Sequence, residues 1–291
     1  MNLIAEISSN HNNDIDRVKR LIDLAVKYDF HSVKFQLFKI NQLFSSEILE
    51  RSQMHRDRVK WELPESFIEQ IYDYSKKKNI LVGYSPFYLE AIEKLNDFTD
   101  YFKIASYELL WKDLFEKIIE TGKPIMVSTG MATIEEIRIS LNAIPRNYPL
   151  TLFHCSSAYP TSAEYSNLAS ISCLRDLLLD MKFNNFHIGW SDHTKIPAIV
   201  SRAFHKYDAT FAEIHIDLND KKGFEFGAGH CWIEDEIKIL HSATKYGTIC
   251  DGQKVKTYNI EEEADRLWRT DPRDGLRPFQ EIRKDFKASD S

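Results

Sequence analysis

The sequence predicts a closed (β/α)8 TIM barrel, and three observations predict it. Short apolar runs alternate with longer stretches of helical period from residue 3 to about residue 246. The strand candidates are apolar on both faces, which marks a parallel sheet covered by helices rather than a half-exposed antiparallel one. The count, about eight strand–helix units in ~250 residues, suits a closed barrel better than an open doubly wound sheet, the alternative.

Taken in order, residues 3–7 form the first strand candidate, and 14–28 follow as a helix with Val18, Leu21, Ile22 and Ala25 on one face. Residues 32–38 read as the second strand, and 64–78 as a helix striped by Phe67, Ile68, Ile71 and Tyr74. Strands are predicted over 79–87, 101–106, 124–130, 150–157, 186–194 and 209–217, with helices over 112–121, 133–144, 167–179, 196–207 and 233–246. The barrel domain thus spans 1–250. Two segments fall outside the repeat. Residues 39–62 are long and charged, carrying Arg51, His55, Arg56 and Arg58. At the strand-to-helix side of a barrel such an insert is either a lid or substrate loop, or a solvated surface loop. The tail, 251–291, is too short and polar for a core of its own, so it is expected to pack on the barrel or on a partner subunit.

Composition excludes several classes. The chain has 291 residues, 38 Lys plus Arg against 44 Asp plus Glu, and a net charge of −6. A mildly acidic protein lacks the basic surface that phosphate backbones demand, so nucleic acid is not the expected partner. No apolar run approaches the ~20 residues of a membrane span, and Met1-Asn-Leu-Ile-Ala-Glu-Ile7 has no basic n-region. Cys155, Cys173, Cys231 and Cys250 share no C-x-x-C spacing, which points to a reduced, cytoplasmic protein. Neither G-x-G-x-x-G nor a P-loop occurs among the ten glycines, which argues against a nucleotide site.

Catalytic groups of such barrels sit at the C-terminal ends of the strands. The first strand ends Glu6, Ser8, Ser9, Asn10, His11; the second carries Lys34 and Gln36, two apart and so on one face. Later strands offer Ser85; Lys103, Ser106 and Glu108; Ser128; His154 through Tyr159; Ser191 through Thr194; and Glu213, His215 and Asp217. A buried unpaired ammonium is costly, so inward lysines need partners. Lys34 and Lys103 with Ser85, Ser106, Ser128 and Ser191 suit a small ligand bearing phosphate and carboxylate; alternatively each lysine pairs with Glu6, Glu108 or Glu213. His215 and His230 are the metal candidates, because imidazoles beside carboxylates suit Mn2+, Fe2+ or Zn2+. Cys231 reads as a small buried thiol.

Six strings occur here in the order of the sialic acid (N-acetylneuraminate) synthase family, which the chain resembles over residues 3 to about 232. They are Ile4-Ala-Glu-Ile-Ser-Ser-Asn-His11, Val33-Lys-Phe-Gln36, Lys103-Ile-Ala-Ser106, Ser128-Thr-Gly-Met-Ala-Thr133, His154-Cys-Ser-Ser-Ala-Tyr-Pro-Thr161 and Trp190-Ser-Asp-His-Thr194. The resemblance implies a (β/α)8 barrel that condenses phosphoenolpyruvate with an aldose in surface-polysaccharide biosynthesis, giving a 3-deoxy-2-keto sugar acid and phosphate. A divalent cation, Mn2+ or Mg2+, and a homodimer are implied with it. It sets phosphoenolpyruvate against Lys34, Ser85, Lys103, Ser106, Ser128 and Ser191, metal on His215 and His230, and the sugar near Glu6, Gln36, Glu108 and Tyr159. Glu6 or Glu108 handles proton transfer in that scheme. Three departures stand out. Ile214 precedes His215 where the family has lysine, and Gly227-Ala-Gly-His230 lacks the family's aspartate. The 251–291 tail does not resemble the family's C-terminal antifreeze-like domain, which helps read the N-acyl group of the acceptor. Two other classes stay open on the residues alone: a silent barrel homologue that binds sugar or regulates, and a sugar aldolase or isomerase that dispenses with phosphoenolpyruvate.

Overall fold

Eight parallel strands pair in sequence order and close β1 onto β8. The computed structural model describes residues 1–252 and 255–286. Strand β1 (Asn2–Glu6) leads through α1 (Ile15–Lys27) into β2 (Ser32–Leu37). Asp14 starts α1 by accepting the Asp16 and Arg17 amides, which α-helical bonding leaves without partners. After β2 the insert folds into α2 (Ile40–Leu43), α3 (Ser46–Arg51), α4 (Gln53–Arg56) and a 3-10 turn, Asp57–Trp61. Then come α5 (Ile68–Lys77), β3 (Leu81–Pro86), α6 (Leu89–Leu95), β4 (Tyr101–Ile104) and α7 (Lys112–Glu120). The second half runs β5 (Ile125–Ser128), α8 (Ile134–Leu141), β6 (Leu150–Cys155), α9 (Ser170–Asp180), β7 (Phe186–Asp192), α10 (Pro197–Tyr207), β8 (Phe211–His215) and α11 (Glu234–Ile249).

Every sequence-predicted strand forms; the first is shifted by one residue, and the others are one to four residues shorter than expected. Helix α6 has only seven residues, two turns, too few for an apolar period to stand out in the sequence. The insert is no open loop, because its last turn is tied to the barrel: Ser9 Oγ donates to Trp61 O at 3.1 Å, and Asn13 Nδ2 to Lys60 O at 3.0 Å.

Inward residues alternate along each strand, so the barrel fills in layers. Ile4, Tyr101, Met126, Phe153 and Phe211 form a separate buried apolar cluster that plugs the N-terminal half. Gly83 and Gly189 make the plug possible, since a side chain at either would strike the Tyr101 or Phe153 ring. The larger core lies between the strands' outer faces and the helices. Above the plug the inward layer turns polar, and the register sets Glu6 beside both Lys34 and His215, and Ser191 beside Glu213.

The chain divides into two units at Ile249 and Cys250. In the second, α12 (Glu263–Leu267) and α13 (Gln280–Asp285) are short, and Arg273 pairs with Asp271 at 2.7 Å and with Glu281 at 2.8 Å. Among the described residues no helix is long and apolar enough to cross a membrane.

Candidate functional site

A cavity of about 870 Å3 is lined by residues from the C-terminal strand ends and from the insert. This size falls within the range of small-molecule sites. Of the sequence-predicted residues, Gln36, Ser106, Glu108, Tyr159, His215 and His230 line it. Glu6, Lys34, Ser85, Lys103, Ser128 and Ser191 do not line it; each is under 5% exposed.

All but Ser128 of that buried group join one ion network. Lys34 Nζ lies 2.5 Å from Glu6 Oε2 and 3.8 Å from Glu213 Oε2, and donates to Ser85 Oγ at 3.1 Å. Lys103 Nζ reaches both Glu213 oxygens at 3.1 Å and stands over the Phe153 ring of the plug at 4.7 Å. Ser191 Oγ donates to Glu213 Oε1 at 3.1 Å, and Gln36 Nε2 to Glu6 Oε1 at 2.9 Å, linking network to cavity. The lysines therefore pair with Glu6 and Glu213, and Glu108 is not a partner. Two ammoniums and two carboxylates balance, as burial at this depth demands. Burial opposes the Glu213 charge, yet Lys103 and Lys34 outweigh it and hold the carboxyl at about 2. For Glu6 burial prevails over Lys34, and its carboxyl is raised.

Beside the network stand three imidazoles. His215 and His230 have ring centroids 4.5 Å apart, and His193 lies 5.5 Å from His215. Tyr159 packs on His193 at 4.2 Å with the rings tilted by 44°, and edges His230 at 5.0 Å. Glu225 joins them from the 217–230 loop: its Oε2 is 3.1 Å from His215 Nδ1 and 3.9 Å from His230 Nε2, and Ser8 Oγ donates to its other oxygen. Burial works against the Glu225 charge, but His215 and Ser8 hold its carboxyl at about 2. Burial would lower His215 too, yet Glu225 raises it, while burial and then His215 push His230 down to about 3. His193 is lowered to about 3 by burial and by His215, and its Nδ1 is engaged by Ser156 O at 2.7 Å.

The loop bearing Glu225 and His230 is pinned from β1's end. Asn10 Nδ2 donates to Ile216 O at 2.9 Å and Cys231 Sγ at 3.4 Å, and its Oδ1 accepts Glu225 N at 2.9 Å. Arg17 holds the loop's start by pairing with Asp217 and, at 2.7 Å, with Asp220. Donor atoms of His215, Glu225, His230 and Cys231 all lie within 4.8 Å of one another. Two imidazoles and a carboxylate are a donor set that first-row divalent ions accept. His230 Nδ1 is buried without a hydrogen-bond partner, an unspent donor or acceptor that fits the same use. The set therefore fits a divalent cation. Cys231 is fully buried, as expected of a thiol, and burial raises it.

Sequence reasoning gave no role to Glu225, and none to His193 although it placed that residue at a strand end. Glu225 belongs to an irregular loop with no strand period to orient it, and His193 sits just past β7. Its closeness in register to Ser191 was the available signal. Glu108 differs from Glu6, Glu213 and Glu225 in having, among the described residues, no cation against it. Burial alone pushes it up to about 8, and its Oε2 has no hydrogen-bond partner, so it is a neutral acid facing the cavity at pH 7.

Comparisons with known proteins converge. Residues 21–256 match the NeuB family. The chain is 32% identical to N,N'-diacetyllegionaminic acid synthase of Campylobacter jejuni, over 66% of this chain and 60% of that one. It is 30% identical to pseudaminic acid synthase of Helicobacter pylori, over 75% and 66%. The chain spans 55–66% of the length of such curated relatives. Among solved structures, the sialic acid synthetase of Leptospira borgpetersenii superposes with a TM-score of 0.76 at 25% identity, covering 94% of this chain and 92% of that one.

Proposed function

The chain belongs to the NeuB family, and from that premise we propose that it condenses phosphoenolpyruvate with an aldose to give a 3-deoxy-2-keto sugar acid and phosphate. The observation that carries the reading is the meeting, at one barrel end, of a serine- and lysine-rich buried layer with the His215–Glu225–His230 donor set. Relatives named for legionaminic and pseudaminic acid synthesis support a nonulosonic acid product. Cytoplasmic residence and a homodimer belong to the same proposal.

In this scheme His215, Glu225 and His230 hold a divalent cation, Mn2+ or Mg2+, with His193 beside them. The ion supplies Lewis acidity toward a carbonyl oxygen. Phosphoenolpyruvate would settle against the buried layer, its anionic groups taken up by Lys34, Lys103 and the hydroxyls of Ser85, Ser106, Ser128 and Ser191 as the lysines turn from Glu6 and Glu213 toward the cavity. Its C3 forms the new bond to the aldehyde carbon, and a water oxygen adds at C2 and becomes the keto oxygen as phosphate leaves. Glu6, kept in place by Gln36, takes the proton of that water. Glu108, already protonated at neutral pH, gives a proton to the aldehyde oxygen as it becomes hydroxyl.

The test is direct. Purified protein with Mn2+, phosphoenolpyruvate and a panel of aldoses should release phosphate and yield a 2-keto acid of the summed mass, and EDTA should stop it. A pyruvate adduct formed without phosphoenolpyruvate, or turnover untouched by EDTA, would replace the proposal with a Schiff-base aldolase.

A further inference from the structure

The cavity holds a cation that the reaction above does not use. Arg58 lines the wall contributed by the insert, half-buried, with its guanidinium 5.8 Å from the Phe44 ring centroid and 5.4 Å from that of Trp61. Among the described residues it has no carboxylate in ion-pair range and no hydrogen bond, so its five N–H donors are unmatched by protein. Every other cation near the cavity is matched: Lys34 and Lys103 by Glu6 and Glu213, His215 by Glu225. His55 stands beside it, its ring 4.6 Å from Phe44 and its Nδ1 fixed by Ser52 Oγ at 2.6 Å, which leaves Nε2 for a ligand. The segment is held rigidly enough to serve as a site, since Trp61 O and Lys60 O are tied to β1's loop. Glu108, which lines the same cavity, is raised by burial to about 8 and would not repel an anion near pH 7.

Two aromatic rings holding a planar guanidinium toward a cavity form a fork for a phosphate or carboxylate. Its position distinguishes the two substrates of the proposed reaction, on which this inference rests. Phosphoenolpyruvate is short and is assigned to the buried layer, whereas Arg58 is on the insert, flanked by exposed Asp57 and Val59. We propose that the acceptor aldose carries an anionic substituent remote from its aldehyde, a phosphate ester or a carboxylate, and that Arg58 with His55 receives it.

Isothermal titration of the full chain, with phosphoenolpyruvate present and EDTA to prevent turnover, tests this. The probes are N-acetylmannosamine and its 6-phosphate, and glucose, its 6-phosphate and glucuronic acid. One anionic sugar should bind about 10–100-fold tighter than its neutral parent, Arg58→Gln should erase that preference, and Arg58→Lys should retain part of it. Whether the phosphate or the uronate is preferred names the anion. Equal binding of charged and neutral sugars, or a preference that survives Arg58→Gln, overturns the assignment. Weakened binding of phosphoenolpyruvate alone in Arg58→Gln also overturns it, giving the fork to that substrate instead. The phosphate-release assay run in parallel separates the two claims. An Arg58-dependent preference without condensation would sink the synthase reading and leave the anion site standing.

Discussion

At the scale of single residues, Glu108 is the group whose chemistry is most open to measurement. Its carboxyl is raised from an ordinary 4.5 to about 8 by burial. The native protein therefore holds a proton between those values that the unfolded chain has lost, and stability falls as pH rises through that window. Glu108→Gln has no proton to lose. Urea unfolding should find the variant about 3 kcal/mol more stable at pH 7, with the difference closing toward pH 4.5. Turnover should move the opposite way. Wild-type rate should decline as pH passes about 8, and the variant should lose about 100-fold or more across the whole range. A variant with a normal rate and an unchanged alkaline limb would remove Glu108 as proton donor. The polar residues that lie on strands were legible in the sequence because a period of two forces Lys34 and Gln36, or Glu213 and His215, to one side. What the sequence left open was the pairing. Whether Lys103 meets a ligand or Glu213 depends on a contact between β4 and β8, across the barrel and 110 residues apart.

Among the elements, the 217–230 loop decides whether the donor set exists. Asn10 touches no candidate ligand except through Glu225 N and Cys231 Sγ, yet it fixes both ends of that loop. Asn10→Ala should weaken Mn2+ binding about 10–100-fold, the usual effect of losing a group that orients ligands, while far-UV circular dichroism stays unchanged. Calorimetric Mn2+ titration reads this; undiminished affinity would make Asn10 a packing residue only. Here the sequence was least informative, because irregular backbone has no period from which to infer facing. The insert followed the same pattern. Its charge and length were visible, but its attachment through Trp61 O and Lys60 O is a backbone matter that no side-chain pattern announces. Of its two readings, lining of the cavity by Leu43, Phe44, His55, Arg58 and Trp61 favours the substrate loop.

For the molecule as a whole, the closed strand ring and every residue of the candidate site belong to the Met1–Ile249 unit. A chain ended at Ile249 should therefore unfold in one cooperative transition and bind Mn2+ with wild-type affinity. Calorimetry on the truncated protein checks this, and loss of the transition would mean that residues after 249 are needed for the barrel to fold. The barrel itself was the most legible feature, since eight doubly apolar strands separated by helices admit few other arrangements. Its plug has a consequence for kinetics. With Ile4, Tyr101, Met126, Phe153 and Phe211 filling the N-terminal half of the barrel, the described residues leave the polar layer no apolar-free route on that side. If the proposed seats are right, a guest taken up by that layer should arrive before one held at Arg58, and a surplus of the later visitor should slow turnover by trapping the earlier one inside; initial-rate kinetics with both substrates varied would read this as ordered entry.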